Sequence, residues 1–340
     1  MYLLILLWGS TNKEYAAMKL TLYLLFGSAL LFVAFLILYT MPQSNTFDLW
    51  HIQSVANFTL FQEILLYGLV FFGFGVLCGL FPFHVWSPDG HVAAPTAASM
   101  MHAGVLMKLG AYGILRIGFL LFPQGALWWS PITAILGLCG VIYGAFVATQ
   151  QRDIKYMIGF SSVSHMGLVI LGISAMNSQS LEGAVFQMFS HGIMTALFFA
   201  SIGFIYDQTH NRKMDELGGL ARVVPRISIF FIIAGLVGMG LPGFSGFVAE
   251  LLILLGTVQT FPILGYTALL SLLITAYYIL TCLQKTFFGP VNPKYSHIRD
   301  VDWWQMIPRT ILVLTLLFFG IYPNVFLNWI RSSTVSLLQG

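Results

Sequence analysis

Charge is the scarcest commodity in this chain. Charged residues make up 8% of 340, where a soluble domain carries about 25%. That excludes a soluble globular protein. The net charge of +3 is too small to imply a nucleic-acid partner. Cysteine is nearly absent as well. Cys78, Cys139 and Cys282 each lie in an apolar run, with neither metal-ligand nor disulfide spacing. They read as small hydrophobic filler. No phosphate loop, dinucleotide fingerprint or nucleophile elbow occurs. The chain therefore offers no hydrolytic or redox centre of its own, and its work is to move something across a bilayer.

What is present is apolar length. Hydrophobic residues make up 58% and mean hydropathy is +0.86. The N-terminal MYLLILLWGSTNKE lacks the basic start and small-residue cleavage pattern of a signal peptide. Its apolar part is shorter than the roughly 20 residues a span needs, so it reads as the second half of a helix. Nine full spans follow, at about 19–42, 60–82, 96–122, 128–150, 156–176, 182–206, 227–257, 263–285 and 308–330. Short connections make this one all-α polytopic membrane domain.

Lys and Arg alternate between the connections. Lys13, Lys19, Arg152, Lys155, Arg212, Lys213, Arg222, Arg226, Lys285, Lys294, Arg299 and Arg309 fall on one side. The connections 43–59, 123–127, 177–181 and 258–262 carry none, and Arg331 alone follows the last span on that side. The positive-inside rule makes the basic face cytoplasmic and the C-terminus external.

Two spans meet breakers. The run 60–82 ends through Gly73, Gly75, Gly79 and Pro82, and 227–257 contains Gly238, Gly240, Pro242, Gly243 and Gly246. Proline removes a backbone bond and clashes with the preceding turn. Broken membrane helices are tolerated where they line a cavity or pack in protein. The two breaks lie on spans of opposite direction, the pattern of inverted repeats.

Lys108 sits near the middle of 96–122, where a lysine costs roughly 2.5–3.5 kcal/mol on insertion scales. Such a residue marks function or a locally neutralised charge. Tyr112 and Arg116 follow at helical spacing on the same face, Arg116 close enough to the outer end to snorkel. His165 follows Ser161 by one turn, and His191 lies between Gln187 and Thr195. A lone membrane histidine is often a packing residue. Two at mid-depth on consecutive helices point to a proton relay, because imidazole passes a proton at either nitrogen. Glu250, beyond the second break, reads as an ion-path carboxylate, or as one buried and protonated. Glu63 and Glu182 read as interfacial. His102, six residues before Lys108, points about 120° away from it. His84, Asp89 and His91 fall on the basic-side connection 83–95, to feed protons inward or to cap the neighbouring helices. No metal site is expected.

The segments FPFHVWSPDGHVAAPTAASMMHAGVLMKLGAYGILR, DIKYMIGFSSVSHMGLVILGI and GLPGFSGFVAELLILLG resemble, in order, the antiporter-like M subunit of NADH-quinone oxidoreductase, akin to complex I chain 4. Subunits of Mrp antiporters and membrane-bound hydrogenases share the pattern. The resemblance implies two inverted repeats with broken helices: a partial first repeat over 1–122, a second over 128–288 and a C-terminal helix over 306–332. It implies that Lys108, His165, His191 and Glu250 form a proton path. It also implies that NADH, FMN, iron–sulfur clusters and quinone belong to partner subunits, with no cofactor in this chain. The partners implied are neighbouring antiporter-like subunits in a bacterial inner membrane. The chain departs from the pattern twice. It begins where the family's fifth helix is half complete, without the glutamate the family places just before, as a misassigned start codon or a split gene would leave it. Near Leu77 or Cys78 it is apolar where the family carries a lysine. Expected alternatives are an Mrp-type cation/proton antiporter subunit, a membrane-hydrogenase subunit, or a partial scaffold that no longer pumps.

Overall fold

The computed structural model describes residues 1–41, 46–55 and 57–339, and no β-strand occurs among them. Part of the connection 43–59 lies outside the described residues. The first half comprises α1 (Tyr2–Trp8), α2 (Lys13–Thr40), α3 (Leu49–Val55), α4 (Leu60–Cys78), α5 (Trp86–Ala93), α6 (Thr96–Met101) and α7 (Met107–Gly113). It is followed by α8 (Pro123–Thr149), α9 (Ile154–Ser174), α10 (Ser178–Thr209), α11 (Met214–Leu217), α12 (Leu220–Val223), α13 (Pro225–Gly238), α14 (Ser245–Thr260), α15 (Pro262–Phe287), α16 (Trp303–Ile321) and α17 (Asn324–Gln339).

Seven of these helices are long and apolar enough to cross a membrane. Two further crossings are interrupted: α6–α7 by π-helical turns, and α13–α14 by a break. Together they make the nine spans expected. Caps fix where helices begin. Thr59 and Gln62 form a reciprocal capping box at α4, and Asp302 and Gln305 form one at α16. Asp153 and Asn177 accept N–H groups of the first turns of α9 and α10.

Burial separates centre from rim. The apolar window of α9 is 94% buried, against 17% for α2 and 11% for α16. The helix carrying His165 is therefore the axis about which the others pack. The rim helices turn leucines and aromatics outward, as lipid permits.

Both breaks occur where proline and glycine predicted them. The first falls between α4 and α5, closed by Gly79 in the left-handed region, with a cis Phe81–Pro82 peptide. The second spans 239–244 between α13 and α14. There α16 lies directly on the chain, because Gly320 has no side chain to hold it off the backbone of Gly243 and Phe244.

Two expectations are corrected. The stretch 83–95 is not a simple connection: it contains α5, an eight-residue half-helix whose Trp86, His91 and Ala93 are buried. The span expected at 308–330 is two helices. Tyr322 leaves the helix in front of Pro323, where a helical conformation would clash with the ring, and α17 turns back onto α10 and α14.

Candidate functional site

The segment bearing Lys108 is not a regular α-helix. Residues His102–Leu106 and Ile114–Phe119 are π-helical, so α7 is bracketed by two wide turns. π-turns inside helices occur frequently at functional sites. Here the Lys108 ammonium donates to the carbonyl of Ala103, within the first wide turn. Lys108 is 8% exposed.

From Lys108 the polar groups run in one line through the bundle. Its Nζ lies 2.7 Å from Nδ1 of His191 on α10. The His191 and His165 rings follow at 5.0 Å between centroids. Nε2 of His165 lies 3.4 Å from Oε1 of Glu250 on α14. Gln187 donates to the same carboxylate oxygen at 3.4 Å. The four residues assigned to a proton path from sequence, on four different elements, thus form one connected array.

Each member is aimed by its neighbours. Nδ1 of His165 lies 2.8 Å from the Ser161 carbonyl oxygen, one turn back, and Nε2 lies 3.3 Å from the Gly238 carbonyl oxygen at the end of α13. Both ring nitrogens therefore face acceptors. Ser161 also shares a 2.7 Å hydrogen bond with the Tyr278 hydroxyl on α15. Glu250 rests on Gly240, which sits at φ +68; a Cβ there would come within 2.6 Å of Oε2. The second break is thus shaped to seat a carboxylate. Thr195 bonds back to the His191 carbonyl.

Close backbone contact holds the array together. A Cβ on Gly192 would lie 2.7 Å from the Gly104 carbonyl oxygen, so α10 and the π-turn touch through glycine. Beside this contact a crevice of about 500 Å³ opens on the apolar flank, lined by Met101, Gly104, Val105, Met188 and Ile193, and reaches Lys108 and Tyr112. Lys108 and Tyr112 share that face, as their spacing predicted. Arg116 does not join them: it lies over the Trp50 ring, 4.7 Å from its centroid.

Other assigned residues fall elsewhere. Glu63 accepts the N–H groups of Gln124 and Gly125 and so caps α8. Glu182, in the first turns of α10, is 6% exposed and paired with Arg331 of α17 at 3.0 Å. Asp89 pairs with Lys19 at 2.7 Å and accepts from Tyr156. His84 is buried against Phe81 and Tyr143. Cys78 ends α4, buried, within electrostatic range of Lys108. Among the described residues no group of three or more His, Cys, Asp or Glu is placed to hold a metal ion.

From sequence, Arg212 reads only as a loop charge. It is 7% exposed and joins four segments. Its guanidinium donates to the Val92 carbonyl at 2.9 Å, pairs with Asp153 at 3.1 Å, reaches Thr11 and stacks on Tyr206. Burial lifts the Asp153 carboxyl above its ordinary range, and Arg212 acts against that lift.

Comparison with known proteins gives a consistent picture. Residues 1–275 match the profile of the family described as NADH:quinone oxidoreductase/Mrp antiporter, transmembrane. NADH-quinone oxidoreductase subunit M of Rickettsia prowazekii is 37% identical over 340 residues, covering 99% of this chain and 69% of the relative. NADH-ubiquinone oxidoreductase chain 4 of Chondrus crispus is 37% identical over 347 residues, covering 100% of this chain and 69% of that one. Among solved structures, a chain of respiratory complex I from Thermus thermophilus superposes with TM-score 0.92 at 28% identity, over 100% of this chain and 72% of the other. A chain of the Mrp complex from Dietzia superposes with TM-score 0.86 at 19% identity, over 97% and 69%, a likeness of fold.

Proposed function

The chain belongs to the NADH:quinone oxidoreductase/Mrp antiporter transmembrane family, and from that premise we propose that it is a membrane subunit of a respiratory NADH-quinone oxidoreductase that contributes to proton translocation. The observation that carries this reading is the array Lys108–His191–His165–Glu250, joined by polar contacts at its two ends and by ring contact between the imidazoles. Lys108 is the central proton carrier. His191 and His165 relay, each holding a proton at one ring nitrogen and releasing it at the other. Glu250 passes the proton on toward the external face. The chain works as a non-redox subunit: NADH, FMN, iron–sulfur clusters and quinone belong to partner subunits, and neighbouring antiporter-like subunits flank it. The basic connections face the cytoplasm of a bacterial inner membrane, with the C-terminus outside.

The test is Lys108→Ala in the intact complex, reading protons moved per electron. Unchanged pumping removes the assignment. An Mrp-type cation/proton antiporter subunit is the competing reading, since that fold is shared. Dehydrogenase and iron–sulfur genes beside this one support the first; a cluster of small antiporter genes supports the second.

A further inference from the structure

The array from Lys108 to Glu250 accounts for only two of the buried histidines. On the basic side of Lys108 lies a second pair, outside that array. His91 of α5 and His102 of the first π-turn are both fully buried. Their rings stack at 4.0 Å between centroids, with Trp86 against the far face of His102 and Phe199 against that of His91. None of their four ring nitrogens has a hydrogen-bond partner. Buried polar groups are nearly always paired, so two adjacent unpaired imidazoles in a membrane interior call for an explanation.

Lys155, in the first turn of α9, is a further buried ionisable group. It is 2% exposed, and its ammonium has one hydrogen-bond partner, the Ala94 carbonyl just past α5, at 2.9 Å. One turn further along α9, a Cβ on Gly159 would lie 3.8 Å from Cδ2 of His91. Residues four apart share a helix face, so the lysine and the imidazole lie along one strip of α9. Two charged groups lie beside this strip: Arg212, which donates to the Val92 carbonyl of α5, and its partner Asp153, whose carboxylate accepts the Lys155 backbone N–H at 2.8 Å.

We propose that Lys155 and the stacked His91–His102 pair form the inlet through which protons from the basic face reach Lys108. The inference rests on the proton-path reading of Lys108. Lys155 gives a proton to an imidazole nitrogen of the pair, is left as a neutral amine, and is recharged from the aqueous basic face. The pair gives its proton to a neutral Lys108 and returns to two neutral rings. Two imidazolium charges stacked this closely repel each other strongly, so the pair holds one proton at a time. It therefore meters as well as conducts.

The alternative for Lys155 is a purely structural one, a cation on the last carbonyls of α5. Lys155→Arg separates the two, because arginine keeps the charge and the carbonyl bond but does not release its proton. In membrane vesicles holding the intact complex, with assembly checked on a native gel, Lys155→Arg and His102→Leu are each expected to lower the proton-pumping rate on the order of tenfold or more. Pumping at the wild-type rate in Lys155→Arg overturns the role of the lysine, all the more if Lys155→Met fails. Normal pumping in His102→Leu overturns the role of the stack, whether or not the arginine variant assembles. Lys108→Ala completes the set. If it pumps normally, the axis reading fails and the inlet with it. If it is silent while the other two pump normally, the inlet alone fails.

Discussion

The two broken helices share an architecture and differ in where they keep their charge. At the first break the backbone passes between α4 and α5 without a carboxylate or lysine: Cys78 ends α4, and Phe81 packs on Tyr143 and His84. The charge lies one helix away, on Lys108 between two π-turns. At the second break the charge is carried by the broken span itself, with Glu250 of α14 folded back onto Gly240 in the break and reached by His165 and Gln187. A break thus does two separable jobs. It exposes backbone carbonyls to the protein interior, and it makes room for an ionisable group. The second break does both, whereas the first makes room while its neighbour carries the charge.

The sharpest way to break this comparison is to remove each charge in turn. Lys108→Ala is expected to lower pumping by on the order of a hundredfold, since no other group in its half takes over transfer to His191. Glu250→Gln preserves shape and the contact with Gly240, and a loss nearer tenfold is expected, because its neighbour His165 still holds a proton. Proton movement per electron, measured in vesicles for both variants, checks the order. A reversed order would make the second break, and not Lys108, the centre of the path.

Smaller effects probe the frame that holds the two halves together. Gly192→Val pushes a side chain into the Gly104 carbonyl and should cost about 1–3 kcal/mol, seen as a lower melting temperature of the purified complex. Glu63→Ala removes the acceptor for two N–H groups of α8 and should cost about 0.5–2 kcal/mol on the same assay. The least effect is expected at the exposed Lys285–Asp215 pair, at 2.8 Å. The Lys285 hydrogen bond holds Asp215 below the usual carboxylate range. The contribution of the pair is present at neutral pH and is lost as pH falls through that lowered value. Lys285→Ala should change stability by no more than about 1 kcal/mol at neutral pH, and by less in acid.

The main lines were legible in the sequence because membrane length and rare charges are strong signals. Helix ends fell within a few residues of the caps at Thr59, Asp153 and Asn177. Lys108, His165, His191 and Glu250 stood out because an ionisable side chain in an apolar run is conspicuous. What stayed hidden was held by long-range pairing. The run WSPDGHVA reads as a polar connection; it is buried because Lys19 and Tyr156 satisfy Asp89, and His102 stacks on His91. Lys155 and Arg212 looked like ordinary basic-loop charges, since nothing local says that their partners are the carbonyls of Val92 and Ala94. The partner of Glu182 was hidden because Arg331 lies 149 positions away. Pro323 is the exception, a helix-stop signal that acts locally.

The seating of α16 on the second break also bears on how such a chain is made. Neither α13 nor α14 is long enough to cross a bilayer of about 30 Å alone, so the segment must cross as a pair with an open joint between them. Lipid offers that joint no hydrogen bonds. During synthesis the joint leaves the ribosome well before Gly320, the residue that lets α16 close over Gly243 and Phe244. Until some 80 further residues are made, the joint needs shelter from the insertion machinery or from a helix already in place. A slow or bulky substitution in α16 would therefore act first on the yield of inserted protein, and only afterwards on the finished machine.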